Sequence, residues 1–253
     1  MKHTNTDHIR SHIQAIDRCN QRGGRMLSLV DLVAAGSIDL PAAAYLAATM
    51  RSGASLLVGA RPGGAGKTAV MCALLNFLPN QTSIRAISSR YVIDDARRND
   101  RPGETCYLAH EIGAGSYYAY VWDQEARAFF RLVSLGHIIA SNLHTDTLEE
   151  TWDQLCGENE IPQAHVDAVT LKVYLRNTRG RGWNVQRWVS HIYESDGEDR
   201  LLWTGAPGEA FTRHSPSRVV TIADESEYAS FLQGLLKKKV RHMEQVRAAL
   251  LER

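Results

Sequence analysis

The chain has 253 residues, of which 44% are hydrophobic and 23% are charged, the composition of a soluble globular protein with one domain or slightly more. The formal net charge of +1 gives no overall attraction to nucleic acid or membranes. No run of about 18 apolar residues predicts a membrane-spanning helix. The four scattered cysteines form no Cys-x-x-Cys pair, which argues against a zinc site or disulfide framework. With a polar N-terminus that lacks an apolar signal core, this predicts a cytoplasmic protein.

Three segments are expected along the chain. Residues 1–25 are polar, end in Arg22-Gly23-Gly24-Arg25, and predict a flexible N-terminal tail. The main domain is expected to cover 26–222 and to begin with two helices, over about 27–35 and 41–51, each closed by a glycine. Residues 223–253 predict one amphipathic helix, because their apolar positions lie three or four apart.

The stretch Gly59–Thr68, with the sequence GARPGGAGKT, is the strongest motif in the chain. It follows an apolar run over 55–58 that predicts a buried strand, and it precedes an apolar, helix-compatible run over 69–78. A strand, a glycine-rich turn and a helix are the context in which a phosphate-binding loop occurs. Backbone N–H groups at such a helix N-terminus bind phosphate, and the helix dipole favours the anion.

Each residue of this loop has an expected role. The glycines let the backbone approach the phosphates closely, Lys67 reaches the β- and γ-phosphates, and the Thr68 hydroxyl holds Mg²⁺. The sequence therefore predicts ATP and Mg²⁺ as ligands. The predicted binding residues are Gly63, Gly64, Ala65, Gly66, Lys67 and Thr68.

One position departs from the pattern G-x-x-x-x-G-K-[ST], because the chain has Arg61 where the first glycine is expected. Gly59 takes the first-glycine role in one interpretation, in a loop two residues longer than usual. In another, Arg61 and Pro62 stiffen a damaged entrance. A third alternative is a surface glycine turn that resembles the motif by chance.

The elements after the loop are predicted in order. A strand is expected at 84–87, and the charged residues 94–104, which contain Pro and Gly, predict a loop. Two β-rich runs follow, over 105–112 and 116–122, and then a helix over about 124–135.

A strand over 137–142 leads to a helix that is expected to start near Thr147, where an acidic residue three positions later has capping-box spacing. Two further strands are predicted over 166–176 and 183–193, joined by a turn over 177–182.

Two segments of the chain resemble the ATPases of type II and type IV secretion systems, including the archaeal members and the type IV traffic ATPases. The first is Leu27–Pro79, with an L-x-D-L-x-x-x-G helix, a G-x-x-L-L-V strand and the sequence A-L-L-N-F-[IL]-P after the loop. The second is Gly136–Leu155, which is similar to the His box of this family. There, His144 matches the box histidine, and Gly136-His137 match the Gly-His pair that leads the strand.

The resemblance implies an α/β fold with a RecA-like P-loop NTPase core, a β-hairpin-rich C-terminal part and a terminal helix. It implies ATP bound between the subunits of a homo-oligomer, a hexamer, and a catalytic role for His144 as a sensor of the γ-phosphate. The expected partner is a membrane-embedded secretion or pilus platform protein, which would hold the chain at the inner face of the membrane.

Three departures from the family pattern bear on catalysis. The family has an acidic box after the strand that follows the P-loop helix, but Ser88-Ser89-Arg90 stand there. Two positions compete for the Walker B acid, Glu111 and Asp123, of which we prefer Glu111 as the catalytic carboxylate that positions water or Mg²⁺. No arginine finger is assigned, and the nearest candidates are Arg90, Arg97 and Arg98.

Three functions follow from the sequence. The main one is a reduced secretion or pilus ATPase, and the second is a nucleotide-binding regulatory or scaffold module with weak or no hydrolysis. The third is a nucleic-acid-linked P-loop ATPase, which needs a basic surface with interleaved aromatic residues. We do not expect a nucleic acid partner, because one cluster alone has this composition: Arg176, Arg179, Arg181, Trp183, Arg187 and Trp188.

Overall fold

The computed structural model describes residues 2–20, 23–61, 63–179 and 185–253. The helices are α1 (Lys2–Asp17), α2 (Leu29–Ala34), α3 (Leu40–Arg51), α4 (Lys67–Leu75), α5 (Arg90–Asn99), α6 (Asp123–Ser134), α7 (Leu148–Trp152), which continues into a π-helical turn (Asp153–Glu158), α8 (Gln163–Asp167), α9 (Ile222–Lys237) and α10 (Met243–Leu251). The strands are β1 (Leu56–Gly59), β2 (Ser83–Ala86), β3 (Thr105–Ala109), β4 (Glu111–Ile112), β5 (Tyr120–Val121), β6 (Ile138–Leu143), β7 (Leu171–Arg179), β8 (Val185–Ser195), β9 (Asp199–Thr204) and β10 (Thr212–Arg213).

A large, mostly parallel sheet organises this mixed α/β fold. Its strand order is β10-β9-β8-β7-β1-β6-β3-β2. The strands β2, β3, β6, β1 and β7 are parallel, whereas β8, β9 and β10 are added in antiparallel pairs. The carboxyl ends of β3, β6 and β1 therefore meet at one edge of the sheet, which is where ligands bind in open α/β sheets.

Helices cover both faces of the sheet. Leu56 and Val58 of β1 pack with α1–α4, α9 and α10, whereas Leu57 packs on the opposite side with α5, α6 and α8. This alternation explains why β1 is apolar at every position, since both of its faces are buried. Within the described ranges, no helix is long and apolar enough to cross a membrane.

The N-terminal segment differs from its prediction. Instead of a flexible tail over 1–25, helix α1 occupies Lys2–Asp17. Ile13 and Ile16 are buried in the core, and the half-buried Ile9 packs against it. Their spacing of four and three residues places them on one helix face, a signal that the polar composition of the segment conceals. The predicted tail residues Arg22 and its neighbour Gln21 lie outside the described residues.

The charged segment 94–104 was predicted as a loop, and this is wrong for its first half, which belongs to helix α5. Val92, Ile93 and Ala96 form one buried face of this helix. The charged residues occupy the other face, where the Arg85 guanidinium of β2 lies 2.7 Å from the Asp95 carboxylate. Composition alone does not predict such a helix, because its charged residues lie on a single face.

The C-terminal segment was predicted as a single helix, but it forms two, α9 and α10. The break includes Lys239, whose φ of 56° lies in the left-handed region. Helix α10 packs against α1, and the buried Arg247 donates hydrogen bonds to the backbone oxygens of Asn76 (2.8 Å) and Leu78 (2.6 Å). These bonds cover carbonyl groups at and beyond the C-terminal end of α4. The predicted division at residue 223 stays a prediction.

Several other predicted elements agree more closely with the structure, although the strand predicted from residue 166 starts only at Leu171, after helix α8. The strands predicted at 84–87 and 137–142 correspond to β2 and β6, and the helix predicted at 124–135 corresponds to α6. The Thr147 hydroxyl accepts a hydrogen bond from the Glu150 N–H, as its capping spacing predicted. Of the predicted turn 177–182, residues 180–182 lie outside the part of the chain that the structure describes.

His12 connects α1 to the helix that follows the glycine-rich loop. Its Nε2 lies 3.2 Å from the Leu75 oxygen at the end of α4, and the ring is buried. Burial, and to a lesser extent the nearby Arg247 cation, lower the pKa of His12 to about 3. The imidazole is therefore neutral in the folded protein at any pH near neutrality.

We expect His12 to make the protein less stable as the pH falls from 6.5 towards 3. In this window the unfolded chain binds a proton that the folded state does not, and each pH unit costs about 1.4 kcal/mol. His12→Gln keeps a donor for Leu75 but does not titrate, so the loss of about 2 kcal/mol between neutral pH and pH 5 should shrink. Urea unfolding at several pH values measures this, and identical pH profiles for both proteins would contradict it.

Candidate functional site

The glycine-rich loop lies at the carboxyl edge of the sheet, between the end of β1 at Gly59 and the start of α4 at Lys67. Gly64 and Gly66 have φ angles of 80° and 100°, a left-handed conformation that favours glycine. The N-cap residue of α4 is Gly66, which has no side chain to cap the helix. The first N–H groups of this helix are thus available to an anion, as the sequence predicted for a phosphate-binding loop.

Lys67, Glu111 and His144 come together beside this loop. The Lys67 Nζ lies 3.0 Å from the Ala60 oxygen, 3.3 Å from the His144 Nδ1 and 3.7 Å from the Glu111 Oε1. The Nε2 of His144 also pairs with the Glu111 carboxylate. The three residues follow the adjacent strands β1, β3 and β6 (Lys67 after the loop), so the strand order of the sheet brings them together.

The three side chains differ in exposure. The Glu111 side chain is 10% exposed, whereas that of His144 is 54% exposed. The Tyr120 hydroxyl lies 3.5 Å from the second carboxylate oxygen of Glu111. A nearly buried carboxylate beside a lysine and a solvent-facing histidine can orient a water molecule or bind a cation, while the histidine can change partners when a ligand enters.

An open cavity of about 640 Å³ lies over the loop. It is lined by residues 63–69 with Glu111 and His144, and also by residues that follow helix α1: Cys19, Asn20, Gly23, Arg25, Met26 and Leu27. All six predicted binding residues line the cavity, including Thr68. The segment after α1, which was expected to be a tail, thus provides part of the site.

Two cysteines lie in the same cavity. A hydrogen bond with Cys72 lowers the pKa of the Cys19 thiol against the opposing effect of burial, and the same pairing together with burial raises the pKa of Cys72. Neither cysteine was predicted to be near the site, and Cys72 was expected to be plain core. A thiol with a lowered pKa is the more reactive of the two towards alkylating agents.

The alternative Walker B residue Asp123 lies elsewhere. It is the first residue of α6, its carboxylate is 2.7 Å from the Arg127 guanidinium, and its N–H donates to the Asn159 side chain. It does not line the cavity, whereas Glu111 does. Of the two alternatives, only Glu111 lies where it can reach a ligand bound at the loop.

Arg61 connects the loop to the segment after His144. Its backbone N–H donates to the Asp146 carboxylate at 2.7 Å, and its guanidinium lies 3.0 Å from the Glu150 carboxylate. Glu150 in turn accepts a hydrogen bond from the Asp146 N–H at 2.7 Å. The backbone bond to Asp146 is open to glycine as well, but the pair with Glu150 needs the arginine side chain. Pro62, its neighbour in the damaged-entrance interpretation, lies outside the described residues.

Arg187 was missed as a site residue. It lines the cavity, and its Nε donates to the Gly64 oxygen at 2.6 Å. The candidate fingers Arg90 and Arg97 instead pair with Asp94 on α5 and do not line the cavity. No local pattern identifies Arg187, because an antiparallel strand brings it back to Gly64 from 123 positions away in the chain.

The basic and aromatic cluster around Arg187 is described only in part. Arg181 and Trp183 lie outside the described ranges, and the side chain of Arg179 is not described either. Arg187 contacts the loop, so it is not simply part of a solvent-facing basic surface.

The donor set suits a hard cation that is bound together with phosphate. Thr68 supplies a hydroxyl and Glu111 a carboxylate, which are oxygen ligands of the kind that Mg²⁺ takes alongside water and phosphate oxygens. Within the described part of the chain, no group of three or more His, Cys, Asp or Glu side chains could hold a metal ion without such help. Thr68 and Glu111 would therefore bind Mg²⁺ only with a bound nucleotide.

No protein-family model and no curated protein matches this sequence. Among solved structures, the chain is similar to the VirB11 ATPase from the Brucella suis type IV secretion system in complex with sulphate. The TM-score is 0.43, the sequence identity is 18%, and the match covers 66% of this chain and 54% of the VirB11 chain. It is also similar to the ATPase DotB of Legionella pneumophila, with a TM-score of 0.39 and 10% identity over 81% of this chain and 58% of that one. The chain spans little more than half the length of either structure. Both likenesses are distant and carry no conclusion about this chain.

Gly59 is the residue of the site that tolerates substitution least. A Cβ atom there would lie 2.7 Å from the Thr145 oxygen and 2.7 Å from the Tyr174 ring. Gly59→Ala should therefore lower the free energy of unfolding by about 1–3 kcal/mol or more. Gly63→Ala is the matched control, because nothing lies within 4 Å of its Cβ position. Urea unfolding of both variants measures the difference, and equal stability would show that the packing around Gly59 is loose.

Proposed function

We propose that this protein binds ATP with Mg²⁺ at residues 63–68 and hydrolyses it. One observation carries the proposal: Lys67, Glu111 and His144 converge at the N-terminus of α4, beside a loop with left-handed glycines. A cation for phosphate and a carboxylate for water are side chains that phosphoryl transfer to water uses, and His144 contacts both of them.

Lys67 and the N–H groups of the loop would hold the phosphates. Lys67 now contacts the Ala60 oxygen and the Glu111 carboxylate, so phosphate oxygens would compete with these acceptors for its ammonium group. Thr68, together with Glu111, would hold Mg²⁺, which neutralises charge on the phosphates when bound. Arg187 adds a second cation to the rim of the same site.

Glu111 would orient the attacking water, and His144 would respond to the γ-phosphate. His144 now contacts both Lys67 and Glu111, so a phosphate that engages Lys67 would change the hydrogen bonds of the histidine. The chain after His144 continues into α7, and Asp146 and Glu150 of this segment contact Arg61. A change at His144 would thereby reach both the loop entrance and α7.

We also propose a RecA-like core and a role in a secretion system. A RecA-like core is supported by the parallel order β2-β3-β6-β1-β7, in which β6 separates the strand before the loop from the strand before Glu111. By its resemblance to secretion ATPases, the chain would work as a hexamer in the cytoplasm. It would act on a secretion or pilus platform protein at the inner face of the membrane.

A nucleotide-binding regulatory module with slow hydrolysis is the second candidate. One observation favours it: Ser88, Ser89 and Arg90 follow β2, where the resemblance leads us to expect an acid. Loss of one positioned electrostatic group can lower a turnover rate by about 10²–10³-fold. The two candidates share the binding site and differ only in the rate.

Mg-ATP turnover and nucleotide binding separate these candidates. Lys67→Ala should lose ATP binding and turnover together. Glu111→Gln should keep ATP binding but lower turnover by about 10²-fold or more, because the carboxylate acts on water or metal and not on the nucleobase. Asp123→Asn is the matched control, an acid from the competing position that lies outside the cavity.

The outcomes differ clearly. ATP bound by the wild type without turnover would favour the regulatory module, and no binding at all would overturn the proposal. Turnover lost in Asp123→Asn but retained in Glu111→Gln would move the catalytic acid to Asp123.

The assembly is tested by the molar mass of the protein in solution, measured by light scattering with and without Mg-ATP. A hexamer with nucleotide is expected, and Lys67→Ala should fail to form it on ATP addition if assembly depends on nucleotide. A monomer under both conditions would contradict a hexameric motor.

A further inference from the structure

A second cavity adjoins the first. It has a volume of about 500 Å³, within the range of small-molecule sites, and shares Leu27, Ala65, Gly66, Ala69 and Arg187 with the cavity over the loop. We call it the side cavity. The end of α2 and the residues after it form its outer side, at positions 35–38.

The side cavity is more apolar than the first. Leu32, Ile38 and Val70 contribute aliphatic side chains, while Ser37 and Gln186 are among its few polar members. The first cavity, in contrast, is lined by charged and imidazole groups. A ligand that filled both would need a charged end and a flat, mostly apolar end with a few polar atoms.

The strand order gives such a ligand a direction. Glu111 and His144 follow β3 and β6, which lie on one side of β1. The side cavity lies on the other side of β1, next to β7 and β8. A nucleotide whose terminal phosphate lies beside Lys67, Glu111 and His144 would extend across the end of β1 towards β8.

The β7–β8 hairpin provides the wall on that side. β1 pairs with β7 only as far as Gly59 and Tyr174, and β7 then continues for five more residues, 175–179, paired with β8. Leu175 lies opposite Val189, and both residues line the side cavity, together with Gln186, Arg187 and Trp188 of β8. The bond from Arg187 to the Gly64 oxygen holds the hairpin against the loop.

We propose that the side cavity receives the nucleoside end of the nucleotide whose phosphates bind at residues 63–68, with Arg187 at the junction of the two cavities. This rests on the proposed function, because it takes the phosphate site as given. A guanidinium at the junction is suited to its place, since its planar fork can donate to phosphate while its face lies against a base or ribose.

The test compares ATP with inorganic tripolyphosphate, which has the phosphates but no nucleoside. Affinities of the wild type for both, measured by calorimetry with Mg²⁺, give the contribution of the nucleoside as a ratio. Ala35→Trp places an indole in the side cavity, because Ala35 is exposed and lines it. Ala34→Trp is the matched control, one residue earlier, equally exposed and outside the cavity lining.

We expect the wild type to bind ATP more tightly than tripolyphosphate. In Ala35→Trp the ratio of the two affinities should fall by about tenfold or more, while tripolyphosphate binding and the Ala34→Trp ratio stay unchanged. A rise of the ratio in Ala35→Trp alone, from stacking on the new indole, would also place the nucleoside there.

A ratio that is the same in Ala35→Trp and in the wild type would overturn the inference, and so would equal affinity of the wild type for the two ligands. Either result leaves the phosphate site and the proposed function standing. A wild type that binds neither ligand would overturn both, so the two failures are distinguishable.

Discussion

The close contact around Gly59 is the constraint on which the site depends. At this point the backbone leaving β1 passes the Thr145 oxygen and the Tyr174 ring so closely that no side chain fits between them. The hydroxyl of Tyr174 bonds to Thr151 of α7, and Thr151 bonds to Thr145. The end of β1, the segment after His144 and the base of the β7–β8 hairpin therefore form one packed unit. The positions of Lys67, His144 and Arg187 relative to each other follow from it.

The helix that begins at Lys67 is held at its other end by polar groups. His12 of α1 lies beside the Leu75 oxygen, and Arg247 of α10 donates to the oxygens of Asn76 and Leu78. A helix end leaves carbonyl groups without partners inside the helix, and burying them is costly unless donors reach them. The two terminal segments of the chain supply these donors. They therefore belong to the structure that positions the loop, which their polar composition does not indicate.

The sequence predicts those parts of the site that lie within one local pattern. The strand, loop and helix around Lys67 are recognisable from their apolar runs and from the spacing of the glycines, which are all local in sequence. The same holds for Thr147, whose capping role follows from the acidic residue three positions later. The sequence favoured Glu111 over Asp123 only narrowly, because the choice depends on which strand end lies beside β6. Helices α1 and α5 were missed because their apolar stripes are narrow and lie among charges. Arg187 comes from a returning antiparallel strand, and no local signal reports such a contact.

Arg61 shows how a departure from a motif can have a physical compensation. The backbone N–H at this position donates to Asp146, which glycine could do as well, and the arginine side chain adds an ion pair with Glu150 that glycine lacks. The guanidinium is exposed, so the ion pair itself contributes little to stability, about 0–1 kcal/mol. Its consequence is geometric: the loop entrance and the segment after His144 are connected at two points and would move together. Because these contacts restrict the entrance of the loop, its shape depends less on its own glycines. The substitution at 61 is thus compatible with phosphate binding, and the missing acid after β2 is the departure that bears on the rate of hydrolysis.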